Sequence, residues 1–380
     1  MESKMKKAAV FSLLLYPFIC GLTADEYRPN PNRLDYLEAS VKDLNKQVAE
    51  LKEQSKQRGT NPPASPVLNS TCDAFVTGDL LYWKANENGL GYVLQSKIEN
   101  AALDLPGNGE LITPNFDWDL GFRVGLGWRT NHDNWDLYFT WTRIHTAAHS
   151  HRHSNSNKSL FPVFADNTFA SSSCDSASAH LHIHLNALDL EMGRNFFVGK
   201  HLSLRPHVGF ENLWLSQHYN THYSGLPAQS DAFNEVRFRN NYWGFGIRSG
   251  IDSQWDIRWG ISIFSDIAFA LLYGDFDLKR TTKYNLDFLS NELHKSSHID
   301  EGFWLARANV EFNIGLRWDW TFAHDRFFLR LQAGWEEHLY FGQNQMFNFF
   351  DTDQVARGKS VSSNDDVAFQ GLMASVRLDF

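Results

Sequence analysis

The chain is poor in cysteine, with only Cys20, Cys72 and Cys174 in 380 residues. Cys20 falls within an N-terminal apolar stretch, and the two that remain make neither a disulfide framework nor a metal site. Beyond that stretch there is no run of about 20 apolar residues, which excludes a bundle of membrane-spanning helices. Basic stripes interleaved with aromatics are also missing. Together with a formal charge of −9, this argues against a nucleic acid as partner.

What the chain has is aromatic bulk in a polar background. Aromatics reach 14%, with 13 Trp and 30 Phe, while mean hydropathy is −0.40. Alternating strands reconcile the two, because only every second side chain then meets an apolar environment.

Lys4, Lys6 and Lys7 precede an apolar run from Ala8 to Ile19, and Ala24 follows. This pattern predicts a secretory signal peptide over residues 1–24. A lipoprotein reading through Cys20 is disfavoured by the bulk of Ile19. Residues 25–57 form a second unit, a periplasmic helical segment. There Leu34, Val41 and Val48 occupy heptad a positions, and Leu37, Leu44 and Leu51 occupy d. A short coiled coil, and with it a homo-oligomer, is one reading, and contact with peptidoglycan or another envelope protein is a further role for the same helix. A single amphipathic helix lying on another surface is the alternative. Residues 58–71, with Gly59, Pro62, Pro63 and Pro66, read as a stiff linker.

From residue 72 to 380 the grammar is that of strands. Between Phe116 and Arg129, Phe116, Trp118, Leu120, Phe122, Val124, Leu126 and Trp128 alternate with polar residues or glycine. The same alternation runs from Trp304 to Trp320 and from Phe327 to Phe341. Trp near both ends of a long apolar face fits two interfacial girdles. Charges on the opposite face would cost about 2 to 4 kcal/mol each at a bilayer midplane, so they must face a lumen.

Seven further candidates are Ala74–Lys84, Trp135–Ile144, His180–Met192, Leu202–Ser216, Phe238–Ile251, Trp255–Leu271 and Val367–Phe380. A phase change near Ala187 predicts a bulge. Long connections at 85–115, 146–179, 217–237, 272–303 and 342–366 alternate with short ones near Asn131, Arg194–His201, Asp252–Gln254 and Ala323–Asp325. That parity implies an even count with both ends periplasmic. The expected fold is therefore all-β: a transmembrane antiparallel up-and-down β-barrel of ten strands, or twelve if a hairpin near Tyr92 to Ile98 joins the wall. The terminal Phe380, led by alternating Leu372, Ala374, Val376 and Leu378, resembles the last strand read by the outer-membrane assembly machinery.

Several stretches resemble the major outer membrane protein family first associated with Legionella and also seen in chlamydia-related bacteria. They are GDLLYWKA at Gly78–Ala85, GLGYV at Gly89–Val93, FDWDLGFRVGLGW at Phe116–Trp128, DNWDLYFTWTRIHT at Asp133–Thr146 and LDLEMGRNFFV at Leu188–Val198. The resemblance implies a pore-forming protein of the bacterial outer membrane, in contact with its lipid. It carries over no catalytic residue and no cofactor.

On this reading, lumen-facing candidates are Asp119, Arg123, Glu211, Arg248, Glu311, Arg317, Arg330 and Glu336. Mixed signs would select small hydrophilic solutes or ions by a transverse field. Alternatively, the charges pair with one another and fill a narrow barrel, since ten strands enclose much less space than the 16 to 18 of open porins. His145, His149, His151 and His153 open one long loop, and His180, His182 and His184 close it. Without Cys or carboxylate at ligand spacing, they are read as a polar loop, not a metal site. Cys72 is expected at the periplasmic end of the first strand and Cys174 in an extracellular loop, as free thiols or as crosslinks between chains. The leading functional expectation is a passive diffusion channel with an inward-folded loop. A closed structural envelope protein or adhesin is the alternative. An outer-membrane hydrolase finds no recognisable Asp and His constellation to support it.

Overall fold

The computed structural model describes residues 40–50, 61, 63–66, 68, 73–100, 105–130, 133–155, 158–165, 173–226, 229–285, 294–351, 358–362 and 364–380. The expected signal peptide, Cys72 and most of the heptad segment lie outside them. Within that segment, residues 40–50 are helical and exposed throughout, with Val41 at 57% and Leu44 at 64% accessibility.

Ten long strands form the wall: β1 (Ala74–Glu87), β2 (Trp118–Arg129), β3 (Trp135–His153), β4 (Ser176–Arg194), β5 (Leu202–Leu226), β6 (Gln229–Arg258), β7 (Ile261–Asn285), β8 (His294–Phe322), β9 (Phe327–Asn344) and β10 (Asp365–Asp379). Each pairs antiparallel with its neighbours in the chain. β10 closes the barrel on β1, with Phe75 opposite Asp379 and Glu87 opposite Val367. Closure leaves the wall no unpaired edge, the requirement that hydrocarbon imposes on a sheet.

Tight turns close the periplasmic end. Between β6 and β7, Arg258 pairs with Ile261, and Trp259 and Gly260 both take positive φ (57° and 78°). Such a two-residue turn matches the right-handed twist of its strands. It lies five residues beyond the expected turn at Asp252–Gln254. Those polar residues stay within β6, where the Gln254 amide bonds Asp319 across the lumen.

The strands overshoot the membrane. About 9 to 11 residues suffice to cross it, yet β6 has 30 and β8 has 29. Much of what reads as long loop in the sequence is therefore continued strand. The span 217–237 belongs almost wholly to the β5–β6 hairpin, in which Leu226 pairs with Gln229. The histidines of the expected loop likewise lie on β3 and β4.

Outside the membrane the alternation keeps its period but reverses its sense. On β4, Leu190 and Met192 face lipid, whereas His180, His182 and His184 take up the outward phase above them, and Leu181, Ile183 and Leu185 turn inward and are buried. The phase change near Ala187 is thus this reversal and not a bulge. The register of β4 with both β3 and β5 is unbroken from Gly193 to Ser176. On β5, Glu211 is the last charged inward residue before Leu213, Leu215, Tyr219 and Tyr223. Where water replaces lipid outside, the apolar side chains find their low-polarity environment inside.

Candidate functional site: the barrel lumen

The lumen has two storeys. Its membrane-level storey is a cavity of about 220 Å³ lined by strand residues and, at the periplasmic mouth, by Ser65 and Pro66 of the linker. The linker is tied to that rim: Arg129 Nη1 donates to the Pro66 carbonyl at 2.8 Å, and Ala64 N donates to Asn195 O at 3.1 Å.

Eight carboxylates and seven guanidiniums line this cavity among the described residues, so their signs nearly balance. Most of them are also joined to one another. Arg123 reaches Glu336 at 2.9 Å and Asp79 at 3.3 Å. His338 lies 3.5 Å from Glu336 and 3.6 Å from Glu311. Arg248 bridges Glu311 and Glu191, with Glu211 3.7 Å from its Nε. Arg205 then joins Glu191 (3.3 Å) to Asp136 (2.6 Å) and Asp252 (2.8 Å), and His207 contacts Glu191 and Asp252. The chain of pairs crosses the lumen from β1 and β2 to β6. Nearer the periplasm, Arg330 grips Asp319 through two bonds of 2.8 Å, while Arg317 donates to Gln254 and Gln332.

Seven of the eight lumen candidates therefore sit in this storey. Asp119 is apart from them: it lies near the outer end of β2 and accepts the Ala147 amide at 3.3 Å. Sequence reasoning missed Asp79, Asp136, Glu191, Arg205 and Asp252 as members. Each shares the inward phase of a strand, and that phase was the available signal.

The outer storey is filled chiefly by apolar side chains, with buried polar groups such as Gln217, Thr221, Asn234 and Asn240 among them. Trp83 of β1, Leu215 and Tyr219 of β5, Phe238 and Tyr242 of β6, Phe276 of β7 and Phe369 of β10 point inward and are buried. An inward-folded segment completes it. The hairpin Val93–Asn100 with Leu105–Ile112 pairs with Ser159–Pro162 in a separate three-stranded sheet, so it adds no stave and the wall remains ten-stranded. Leu90, Tyr92, Val93, Leu160 and Phe164 of this region are buried in the same core. Tyr219 Oη donates to the Leu90 carbonyl and Tyr223 Oη to that of Tyr92, both at 2.7 Å. Arg280 Nη2 donates to the Phe164 carbonyl at 3.1 Å.

Titratable groups in the outer storey are biased towards neutrality. Burial, followed by repulsion from Asp365, raises the Glu87 carboxyl well above its ordinary value. Burial and then the neighbouring Asp175 push the Cys174 thiol up to about 12. The Cys174 side chain is buried and unbonded to another cysteine, and its backbone N–H donates to the Leu160 carbonyl at 2.8 Å, which keeps the thiol from reach of a partner chain in this conformation. Among the described residues, no group of three or more His, Cys, Asp or Glu is arranged to hold a metal ion.

A closed antiparallel wall with an apolar outward band, aromatic at both edges, defines an outer-membrane β-barrel. The family described as Legionella pneumophila major outer membrane protein precursor matches residues 65–380, and the chain belongs to it. The protein accordingly resides in the outer membrane. Similar solved structures include the outer membrane protease OmpT from Escherichia coli (8% identity, 83% of this chain and 99% of that one, TM-score 0.36). Ail, the attachment invasion locus protein of Yersinia pestis, shares 9% identity over 80% of this chain and 98% of its own, with a TM-score of 0.21. The Pseudomonas putida toluene transporter TodX shares 7% over 84% and 92%, with a TM-score of 0.26. No curated protein matches the chain.

Proposed function

We propose that this protein is a barrel shut to hydrophilic solutes in the conformation described, and that it serves the envelope through its projecting extracellular end. The observation that carries the reading is the apolar outer storey. A solute leaving the charged cavity would meet Leu213, Leu215, Tyr219 and Phe238 packed against the Leu90–Val93 segment. Buried apolar surface of this kind excludes water, and a hydrophobic constriction blocks conduction by dewetting. The near-balanced, mutually paired charges below it leave little net field to select ions. The reading involves no catalytic step. The N-terminal helix would anchor the barrel to a second copy or to the cell wall.

A gated diffusion channel is the second reading. It is favoured by the origin of the plug: the hairpin's backbone ladder runs to Ser159–Pro162, and its leading segment meets the wall through side-chain bonds with Tyr219, Tyr223 and Ser150, which is the connectivity of a movable part. Planar-bilayer recording of the refolded full-length protein tests the first reading. The shut barrel predicts a silent membrane at moderate voltage, and discrete conductance steps for a variant lacking residues 92–113. Steps of equal size from the unaltered protein would overturn it in favour of the channel.

A further inference from the structure

Just above the outer aromatic belt, the outward face of the barrel is divided by charge. The belt there is set by Trp141, Trp214, Trp243 and Tyr273, whose rings face outward on β3, β5, β6 and β7. Interfacial Trp and Tyr mark head-group depth. Next above Trp141 comes Arg143, then His145. Cross-strand register then carries the imidazoles sideways: His145 lies opposite His184, His182 opposite His218, and His218 opposite Arg239. The rings of His145 and His184 are 3.9 Å apart between centroids, and those of His145 and His182 are 5.8 Å apart. At the same level on β7 and β9 the outward residues are Asp275, Asp277 and Glu337 instead.

Among the described residues, no carboxylate pairs with a side chain inside the basic sector; carboxylates pair at its border, where Asp117 lies 3.8 Å from His149 and Glu235 holds Arg237 at 2.7 Å. On β7, Lys279 lies opposite Arg239 and is itself bonded to Asp277. Burial first, and then the charges of His145, His218, His182 and Arg143, hold the His184 imidazole below its ordinary value. Burial, Arg239 and His182 do the same for His218. Crowded cations that repel one another are stabilised when an anion settles among them.

We infer that the outward sector formed by Arg143, His145, His182, His184, His218 and Arg239 binds the phosphate groups of a lipid head group in the outer leaflet. Its height on the barrel places it beside head groups and not beside acyl chains. Its charge restricts it to one side, so the lipid would be held at a fixed azimuth. The site is independent of whether the lumen conducts.

The test uses the full-length protein folded in neutral-detergent micelles, probed by native mass spectrometry with bisphosphorylated lipid A, dephosphorylated lipid A and inorganic phosphate. Bisphosphorylated lipid A is expected to bind best, and more tightly at pH 5.5 than at pH 8 because protonated imidazoles add donors and charge. Arg143→Gln and Arg239→Gln should each weaken it about fivefold, and the double variant about thirtyfold, for cations acting near a membrane surface. Replacing His182, His184 and His218 by Gln should remove most of the pH dependence. The control pair Asp275→Asn and Asp277→Asn should not weaken binding, and heat-modifiable gel migration verifies that each variant is folded. Equal binding of the two lipid A forms would overturn the proposal. So would unchanged binding by the folded arginine double variant, or inorganic phosphate binding as tightly as the lipid.

Discussion

Arg248 carries the heaviest electrostatic duty in the lumen. Its guanidinium meets Glu191 and Glu311 directly and stands 3.7 Å from Glu211, which is fully buried. Removing one partner of such a group leaves the others desolvated and uncompensated, at a cost of about 3 to 5 kcal/mol. Arg248→Met should therefore lose about that much in urea unfolding from phospholipid vesicles, whereas the exposed Arg143→Gln should stay within about 0.5 kcal/mol. A loss for Arg248→Met below about 1 kcal/mol would mean that the network does not organise the lumen. At this scale the sequence was legible in one respect and blind in another. Alternation puts Arg123, Arg248, Glu311 and Glu336 on the polar face of their strands, the face that lines the cavity, because the period of a strand fixes the face. It could not say that Arg248 of β6 meets Glu311 of β8, since cross-lumen distances depend on barrel closure and strand stagger.

At the scale of elements, the inward hairpin is held by few directional bonds. Tyr219 and Tyr223 donate to consecutive parts of its leading segment at Leu90 and Tyr92, and Tyr92 Oη donates to Ser150. Each bond to Leu90 and Tyr92 contributes about 0.5 to 1.5 kcal/mol net. Changing both tyrosines to Phe should loosen the hairpin while sparing the wall. Hydrogen exchange should rise for a peptide spanning Val93–Ser96 and stay unchanged in β7. Equal protection of both regions in the variant would show that packing alone holds the hairpin. The number of staves was readable in the sequence, as was the turn at Ala323–Asp325, where all three residues take positive φ. The outer limits of the staves were not. Once a strand leaves the membrane its apolar phase turns inward, so His145–His153 and Gln217–Leu226 look like polar loop when only one sense of alternation is sought.

For the whole molecule, that reversal of sense decides the character of the barrel. At membrane depth the wall is apolar outside and charged within; above the membrane it is polar outside and apolar within. The resulting barrel is an outer-membrane protein with a small charged vestibule on the periplasmic side and a packed core on the external side. Stability should accordingly be shared between lipid contact and a core like that of a soluble protein, in which each fully buried large side chain contributes roughly 1.5 to 3 kcal/mol. The most direct test asks whether water reaches the inner face of the outer storey. In a background lacking Cys72 and Cys174, Leu215→Cys and His218→Cys place a thiol inside and outside the wall at neighbouring positions of β5, to be challenged by a small, charged, membrane-impermeant methanethiosulfonate. A filled outer storey predicts rapid modification of the residue 218 thiol and protection of the residue 215 thiol until the protein is unfolded; comparable rates at both positions would contradict it and establish an aqueous path through the barrel.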